Sequence, residues 1–423
     1  MHIVLDISRL LGLAWHGQPS GVDRVEIAHA RHWRRWPAEA VTFVAQSPWG
    51  WFAALPDGLA RSLLAEADAV VAPGKEGGLA RFRAMAAAAL SRKLWGGGRW
   101  DLERRVAERP DSIFLVVSHR AVHKEAAIAG VVAAGARFVP LIHDMIPLTH
   151  PEYVRPFSTE QHAGRLQVIA RMAAGVLATT RTVARDLDQQ TARAGLALPP
   201  VEAVGLGLDL PGNGPPLPEL GPPLGRPYFL MLGTIEPRKN HLLMLQLWRE
   251  FARMRRVDVP QLLIVGRRGW ENEAVFRMLE RTEFEGLVEE RGRLSDPEVE
   301  RLLRGAVALL APSFTEGFGI PLAEALACGT PVIASDIPAA REVGAGVPDH
   351  VHPLDFAGWR RAVLDYAEPE APRRRAQLER LAAWRAPRWD DHFSATERFL
   401  ERLCGRAPAP ELREVARARL LQE

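Results

Sequence analysis

Short apolar runs alternate with stretches of helical periodicity along most of the chain. Residues 3–7, 113–117, 138–142 and 175–179 read as buried strands, and residues 22–36 carry apolar side chains at helical spacing. Strands separated by helices predict a parallel sheet covered on both faces. Residues 49–105, rich in Ala, Trp and Arg, are predicted to be helical and carry no recognisable chemistry. Between Pro199 and Pro227 the strings PP, PGNGPP and GPPLGRP follow in quick succession, a composition that sustains neither a helix nor an interior strand. The pattern then restarts, with strands at 228–232, 261–265, 308–311 and 332–335 and a helix at 241–254. The expected organisation is an α/β domain over 1–205, a linker over 206–226, a second α/β domain over 227–386, a helix at 387–404 and a polar tail at 405–423. Two such domains make a cleft between them, a usual place for a ligand.

Composition narrows the class. The 423 residues suffice for two domains with their own cores, and 47% hydrophobic with 25% charged residues is the balance of a globular protein. Two cysteines, Cys328 and Cys404, make no disulfide framework and no metal-ligand spacing, which points to a reducing cytoplasm. The opening residues lack the basic and apolar blocks of a secretory signal, and no apolar run approaches the roughly 18 residues of a membrane-spanning helix. A net charge of +3 gives no reason to expect a nucleic-acid partner. Arginines 24, 31, 34 and 35 nevertheless cluster with Trp33 and Trp36 on one predicted helix. Such a helix can rest on anionic headgroups or on an acidic acceptor, so the localisation expected is cytoplasmic with peripheral contact at the inner membrane face. The plainer reading of the cluster is a solvated helix face.

Residues 311–335, APSFTEGFGIPLAEALACGTPVIAS, are the most informative. A strand ends near Ala311, and glycines 317 and 319 let backbone approach a ligand closely. Pro321 suits the first position of a helix, Gly329 its C′ position, and Pro331 prevents continuation. Strand, glycine loop and helix N-terminus make a seat for phosphate, because the amides there have no intrahelical partners and carry roughly half a positive charge. Glu316 in the loop and Glu324 on the helix frame that seat. Glu324 can meet ribose hydroxyls, or it is simply a helix-forming residue in a turn that favours acids.

The second segment, GTIEPRKN at residues 233–240, follows one predicted strand and precedes a helix. Arg238 offers a planar fork and Lys239 a point charge to a phosphate. A cation about 4 Å from a phosphate oxygen is worth about 4 kcal/mol at an effective dielectric of 20, enough to aid departure of a diphosphate. Alone, the segment also reads as a surface helix start with two solvated bases.

Together these segments resemble the retaining glycosyltransferases of family 4, also called glycosyl transferases group 1, which have the GT-B architecture. Residues 264–270 (IVGRRGW) and 292–296 (GRLSD) support the resemblance; residues 20–24 (SGVDR) and 142–148 (IHDMIPL) do so more loosely. The family has a hydrophobic–Asp step often preceded by Asn-Gly, whereas residues 205–209 here read GLGLD. The resemblance implies two Rossmann-like domains with parallel sheets facing across a cleft: an acceptor-side domain over 1–205 and a donor-nucleotide domain over 227–386. The helix beginning near Arg388 would cross back onto the first domain.

By the same resemblance, Arg238 and Lys239 hold a donor diphosphate with backbone amides around Phe318, Gly319 and Ile320. Glu316 touches the transferred sugar and Glu324 the ribose. Arg293 and Leu294 contact the base, Gly266 permits close approach, and Gly21 meets the donor from the other domain. A first-domain histidine completes such sites, and His119 and His143 both follow strand-like runs. No metal or cofactor is implied.

The expected function is transfer of a sugar, with retention, from a GDP- or UDP-sugar to a glycan or lipid-linked acceptor in cell-surface polysaccharide synthesis. GDP-mannose has a mild preference. The rivals are a sugar-nucleotide epimerase or other enzyme on the same architecture, and a non-catalytic sugar-nucleotide-binding component of a polysaccharide assembly complex.

Overall fold

The computed structural model describes residues 1–405 apart from 17, 18, 48, 72–77, 95, 96, 119, 121, 210–225, 255–258, 293 and 369. Most of the expected linker, and all of the tail beyond Gly405, lie outside the described residues. The chain forms two compact units. One comprises Met1–Thr149, Thr159–Leu206 and Trp389–Glu423, the other His150–Ser158 and Gly207–Arg388.

The first unit holds a seven-stranded sheet of β1 (His2–Asp6), β2 (Val41–Gln46), β3 (Phe52–Ala54), β4 (Ser112–Val116), β5 (Arg137–Ile142), β6 (Val176–Ala178) and β7 (Val201–Ala203). The spatial order is β3-β2-β1-β4-β5-β6-β7. All pairings are parallel except β2 with β3. That exception departs from the all-helical expectation for residues 49–105. The chain turns back after Ser47, whose amide donates to Trp51 O at 2.7 Å, and so short a connection permits only an antiparallel partner. The rest of that stretch is helical at Asp57–Val71, Gly78–Leu94 and Gly97–Ala107.

The helix Trp389–Cys404 belongs to this first unit and lies against the helix Gly21–Trp33. His392 Nε2 is 2.9 Å from His29 Nε2, its Nδ1 is 2.8 Å from Gly205 O, and His32 stacks on Phe393 at 3.8 Å. Fully buried side chains such as Trp33, Phe114 and Phe138 fill the core; each contributes about 1.5–3 kcal/mol by leaving water.

The second unit holds a six-stranded, all-parallel sheet of β8 (Tyr228–Leu232), β9 (Gln261–Val265), β10 (Val288–Arg291), β11 (Leu309–Ala311), β12 (Val332–Ser335) and β13 (Asp349–Val351). The order is β10-β9-β8-β11-β12-β13. From β8 the chain winds one way to β10 and then returns to β11 on the other side of β8. The switch point therefore falls between β8 and β11, where the helices leave the carboxyl ends on opposite faces and a crevice opens. Both informative sequence segments begin there: residues 233–240 follow β8, and residues 312–319 follow β11.

Candidate functional site

The β8 loop is built to hold its shape. Ile235 N donates to Arg267 O and Gly269 N to Ile235 O, tying it to the loop after β9. A Cβ at Gly266 would stand 1.9 Å from Gly233 O, so only glycine allows these two loops to touch. Pro237–Lys239 form one 3₁₀ turn, ended by Asn240 in the left-handed region at φ 54°. The Asn240 amide nitrogen then donates to Pro312 O at 3.2 Å and Pro353 O at 3.0 Å, while Phe314 N donates to Arg238 O at 2.8 Å. One backbone bond and the Asn240 side chain thus stitch the β8 and β11 loops together.

The β11 loop leads into the helix Ile320–Ala327, capped by Gly319 at φ 85°, a conformation natural to glycine. Pro321 occupies the second helical position rather than the expected first. Gly329 follows the C-cap Cys328, as its expected C′ position requires. In the first turn Leu322 N and Ala323 N donate to Gly319 O and Pro321 has no N–H, which leaves Ile320 as the residue of that turn whose amide takes no helix carbonyl. Glu324 lies half-buried on the same helix.

Four charged side chains meet beside this helix start. Glu316 accepts from Lys239 Nζ at 2.5 Å, Arg238 Nη1 at 2.5 Å and Ser313 Oγ at 2.8 Å. Arg238 Nη2 is 2.6 Å from Oε1 of Glu236, whose side chain is only 4% exposed. Burial alone would raise the Glu316 carboxyl, but the charges of Arg238 and Lys239 outweigh it and hold the group down at about 2. At Glu236 burial wins over the same two cations and the carboxyl is raised. Burial, helped by Lys239, lowers the neighbouring His241 to about 3, so this histidine is neutral. A pocket enclosing ≈ 510 Å³ of free space, part of it open to solvent, is lined by Lys239, Ser313, Glu316, Phe318, Gly319 and Pro321 among others. Lys239, a helix N-terminus and a glycine loop line this pocket, with Arg238 bonded to the lining Glu316, and the set suits an anionic ligand with at least one phosphate.

The structure thus brings Arg238, Lys239, Glu316, Phe318 and Gly319 together, with Ile320 opening the adjoining helix. Gly266 stands behind the β8 loop. Leu294 is half-buried against the apolar cluster that includes Val265 and Leu303. Arg293 and His119 lie outside the described residues. Sequence reasoning missed Ser313, Glu236 and Asn240. Each lies inside or beside a quoted segment, but spacing alone does not reveal which carboxylate takes which cation.

In the first unit Gly21 opens the helix Gly21–Trp33, whose N-cap Ser20 forms a capping box with Asp23. Arg9 reaches the same cap, donating to Asp23 at 2.5 Å and Ser20 Oγ at 2.9 Å. One turn along, the fully buried Glu26 accepts from Leu10 N at 2.6 Å. Its carboxyl is raised well above the usual range by burial and by Asp6. His143, at the end of β5, is buried with Nε2 2.8 Å from Val117 O. That contact assigns the proton to Nε2. Burial lowers its pKa despite the nearby Asp144. Among the described residues no group of three His, Cys, Asp or Glu side chains converges as a metal site, and no described helix is long and apolar enough to cross a membrane.

With this geometry in place, comparison with known proteins bears on the second unit. Residues 217–345 match the family model for Glycosyl transferases group 1. This part of the chain is similar to the group 1 glycosyl transferases. The group 1 segment contains both loops and the helix of the phosphate-type pocket. An O-antigen chain mannosyltransferase B of Escherichia coli is 32% identical over 169 residues, 40% of this chain and 44% of that protein. A serotype-specific mannosyltransferase WbdA of Escherichia coli is 31% identical over 231 residues, 50% of this chain and 27% of that protein. The chain spans less than half the length of these curated relatives. In three dimensions it resembles Anabaena HepE in complex with UDP-glucose, at TM-score 0.64 and 16% identity, covering 95% of this chain and 100% of that one. That likeness shows the GT-B fold class, as expected from the sequence.

Proposed function

We propose that the protein is a retaining glycosyltransferase that moves a hexose, mannose by first preference, from a nucleotide-diphosphate sugar to a glycan or lipid-linked acceptor of cell-surface polysaccharide synthesis. One observation carries this reading: Arg238 and Lys239 converge with Glu316 at the N-terminus of Ile320–Ala327, on the pocket at the β8–β11 switch point. The match of residues 217–345 to the group 1 family model supports sugar transfer. The two mannosyltransferases above, one of them an O-antigen chain enzyme, support mannose and an O-antigen-like product.

In the proposed step, the bond between the anomeric carbon and the donor's phosphate oxygen breaks, and the electron pair leaves with the diphosphate. Arg238, Lys239 and the amides at Phe318, Gly319 and Ile320 stabilise that growing charge. The acceptor oxygen bonds to the same carbon on the same face, and its proton passes to a phosphate oxygen of the leaving group. Glu316 and Glu324 are assigned to hydroxyls of the sugar and of the ribose. His143 is assigned to the acceptor and Gly21 to the donor, with Leu294 near the base. The helix Gly21–Trp33, carrying Arg24 and Arg31 with Arg34 and Arg35 just past its end, is assigned to contact with an anionic membrane face.

Purified protein incubated with GDP-mannose, UDP-glucose and a glycan acceptor tests the reading. Free nucleoside diphosphate with a glycosylated product of unchanged anomeric configuration, read by NMR, is the expected outcome. An isomerised donor, or none of these donors consumed, would count against it.

A further inference from the structure

The two carboxylates of the phosphate-type pocket are not equivalent. Glu236 sits two residues from Arg238 on the same loop, caps the rigid Pro237–Lys239 turn, and meets the guanidinium at Nη2. It is not part of the pocket lining. Glu316 comes from the other loop, lines the pocket, and spans both cations, taking Lys239 through Oε1 and Arg238 Nη1 through Oε2. Formal charges in the cluster cancel: two cations against two carboxylates. A diphosphate brings at least two more negative charges. It gains the pocket-facing ammonium and Nη1 only if the carboxylate already bonded to them gives way, because like charges at such range repel strongly in a dry site.

Resting on the nucleotide-sugar reading above, we propose that Glu316 is the exchangeable counter-ion of the diphosphate seat, holding Lys239 and Arg238 in place and yielding them to the donor, while Glu236 retains Arg238 throughout. A displaced Glu316 carboxylate needs new hydrogen-bond donors, since burying it unpaired is costly. The hydroxyls of the transferred sugar supply them. A sugar nucleotide therefore displaces Glu316 with compensation, whereas the nucleoside diphosphate left after transfer displaces it without. The carboxylate returns to the cations as product forms, and the exchange helps to expel the diphosphate. Ser313, whose hydroxyl donates to Glu316, biases the carboxylate toward the cation-bound position.

Calorimetric titration of wild type, Glu316→Gln and Ser313→Ala with GDP and with UDP tests the exchange. For whichever nucleotide wild type binds, Glu316→Gln is expected to tighten binding about five- to tenfold, because the competitor has lost its charge. Ser313→Ala, which leaves every ion pair intact and so guards against a misfolded Glu316 variant, is expected to tighten it about twofold. Binding that is unchanged or weaker in both variants, with wild type binding normally, overturns the exchange and leaves the nucleotide-sugar reading standing. If neither wild type nor either variant binds GDP or UDP, both fall together.

Discussion

Lys239 Nζ lies 2.5 Å from Glu316 Oε1, although 77 positions separate the two in sequence. The pair joins the loops after β8 and β11, neighbouring strands that the chain reaches on successive windings. Two cations and two carboxylates are thereby gathered at one point of one sheet. The pairing also explains how two adjacent bases, Arg238 and Lys239, coexist half-buried: each has a carboxylate within 2.6 Å. Breaking such a pair on one side leaves a poorly compensated charge, which costs far more than a surface ion pair contributes.

The contact between the β8 and β9 loops leads to a stability prediction. Gly266→Ala places a methyl group against Gly233 O, where backbone rather than a flexible side chain must move. A loss of about 1–3 kcal/mol is expected, read as a lower midpoint in urea denaturation. Nucleotide binding should weaken in parallel, because the β8 loop carries Arg238 and Lys239. Wild-type stability in this variant would show that the loops are not held as closely as described.

Much of this site was legible before folding. β8, β9 and β12 fall at the expected residues 228–232, 261–265 and 332–335, because apolar runs bounded by Pro, Gly or charged residues have few other solutions in an α/β chain. The short helix beside the pocket was readable from Gly319, Pro321 and Gly329, which punctuate it by backbone geometry alone. What escaped was specific to three dimensions. β10 reads Val-Glu-Glu-Arg, since an edge strand needs no apolar face on its open side, and periodicity passes over it. Glu236, Ser313 and Asn240 are ordinary loop residues in sequence; their roles come from the register of β8 beside β11. The antiparallel β3 was hidden because its pairing depends on the turn after Ser47, not on its three apolar residues.

Glu236 yields a second prediction. Its carboxylate steadies Nη2 of Arg238, so Glu236→Ala should weaken nucleotide-diphosphate binding roughly tenfold. Glu236→Gln, which retains an oxygen acceptor of the same reach, should restore most of that loss. A purely structural role would show instead as equal melting-temperature losses in both variants, with no separation in affinity.

The histidines joining the helices Gly21–Trp33 and Trp389–Cys404 set an acid limit on the first unit. Burial, more than the neighbouring histidines, lowers His29 well below the ordinary 6.5, and burial lowers His392 to about 4 despite its contact with Gly205 O. A base whose folded pKa is depressed binds protons more readily when unfolded, so its contribution is intact above 6.5 and fades as pH falls toward 4. Melting temperature followed by tryptophan fluorescence should drop across that interval, and His392→Gln should flatten the drop. Glu316 acts lower, in a separate window: its contribution is intact above about 4.5 and is lost as pH falls toward about 2. A melting temperature that is level from pH 6.5 to 4 would contradict the neutral, buried state of the two histidines.

The most direct test of the diphosphate seat is equilibrium binding of GDP and UDP to wild type and to Lys239→Ala, measured by calorimetry, with far-UV circular dichroism confirming that the variant is folded. Wild type should bind at least one of the two, and the variant should bind it at least about thirtyfold more weakly, the usual effect of deleting one partner of a buried charge pair. Equal affinity in the folded variant would contradict the seat, as would failure of wild type to bind either nucleotide.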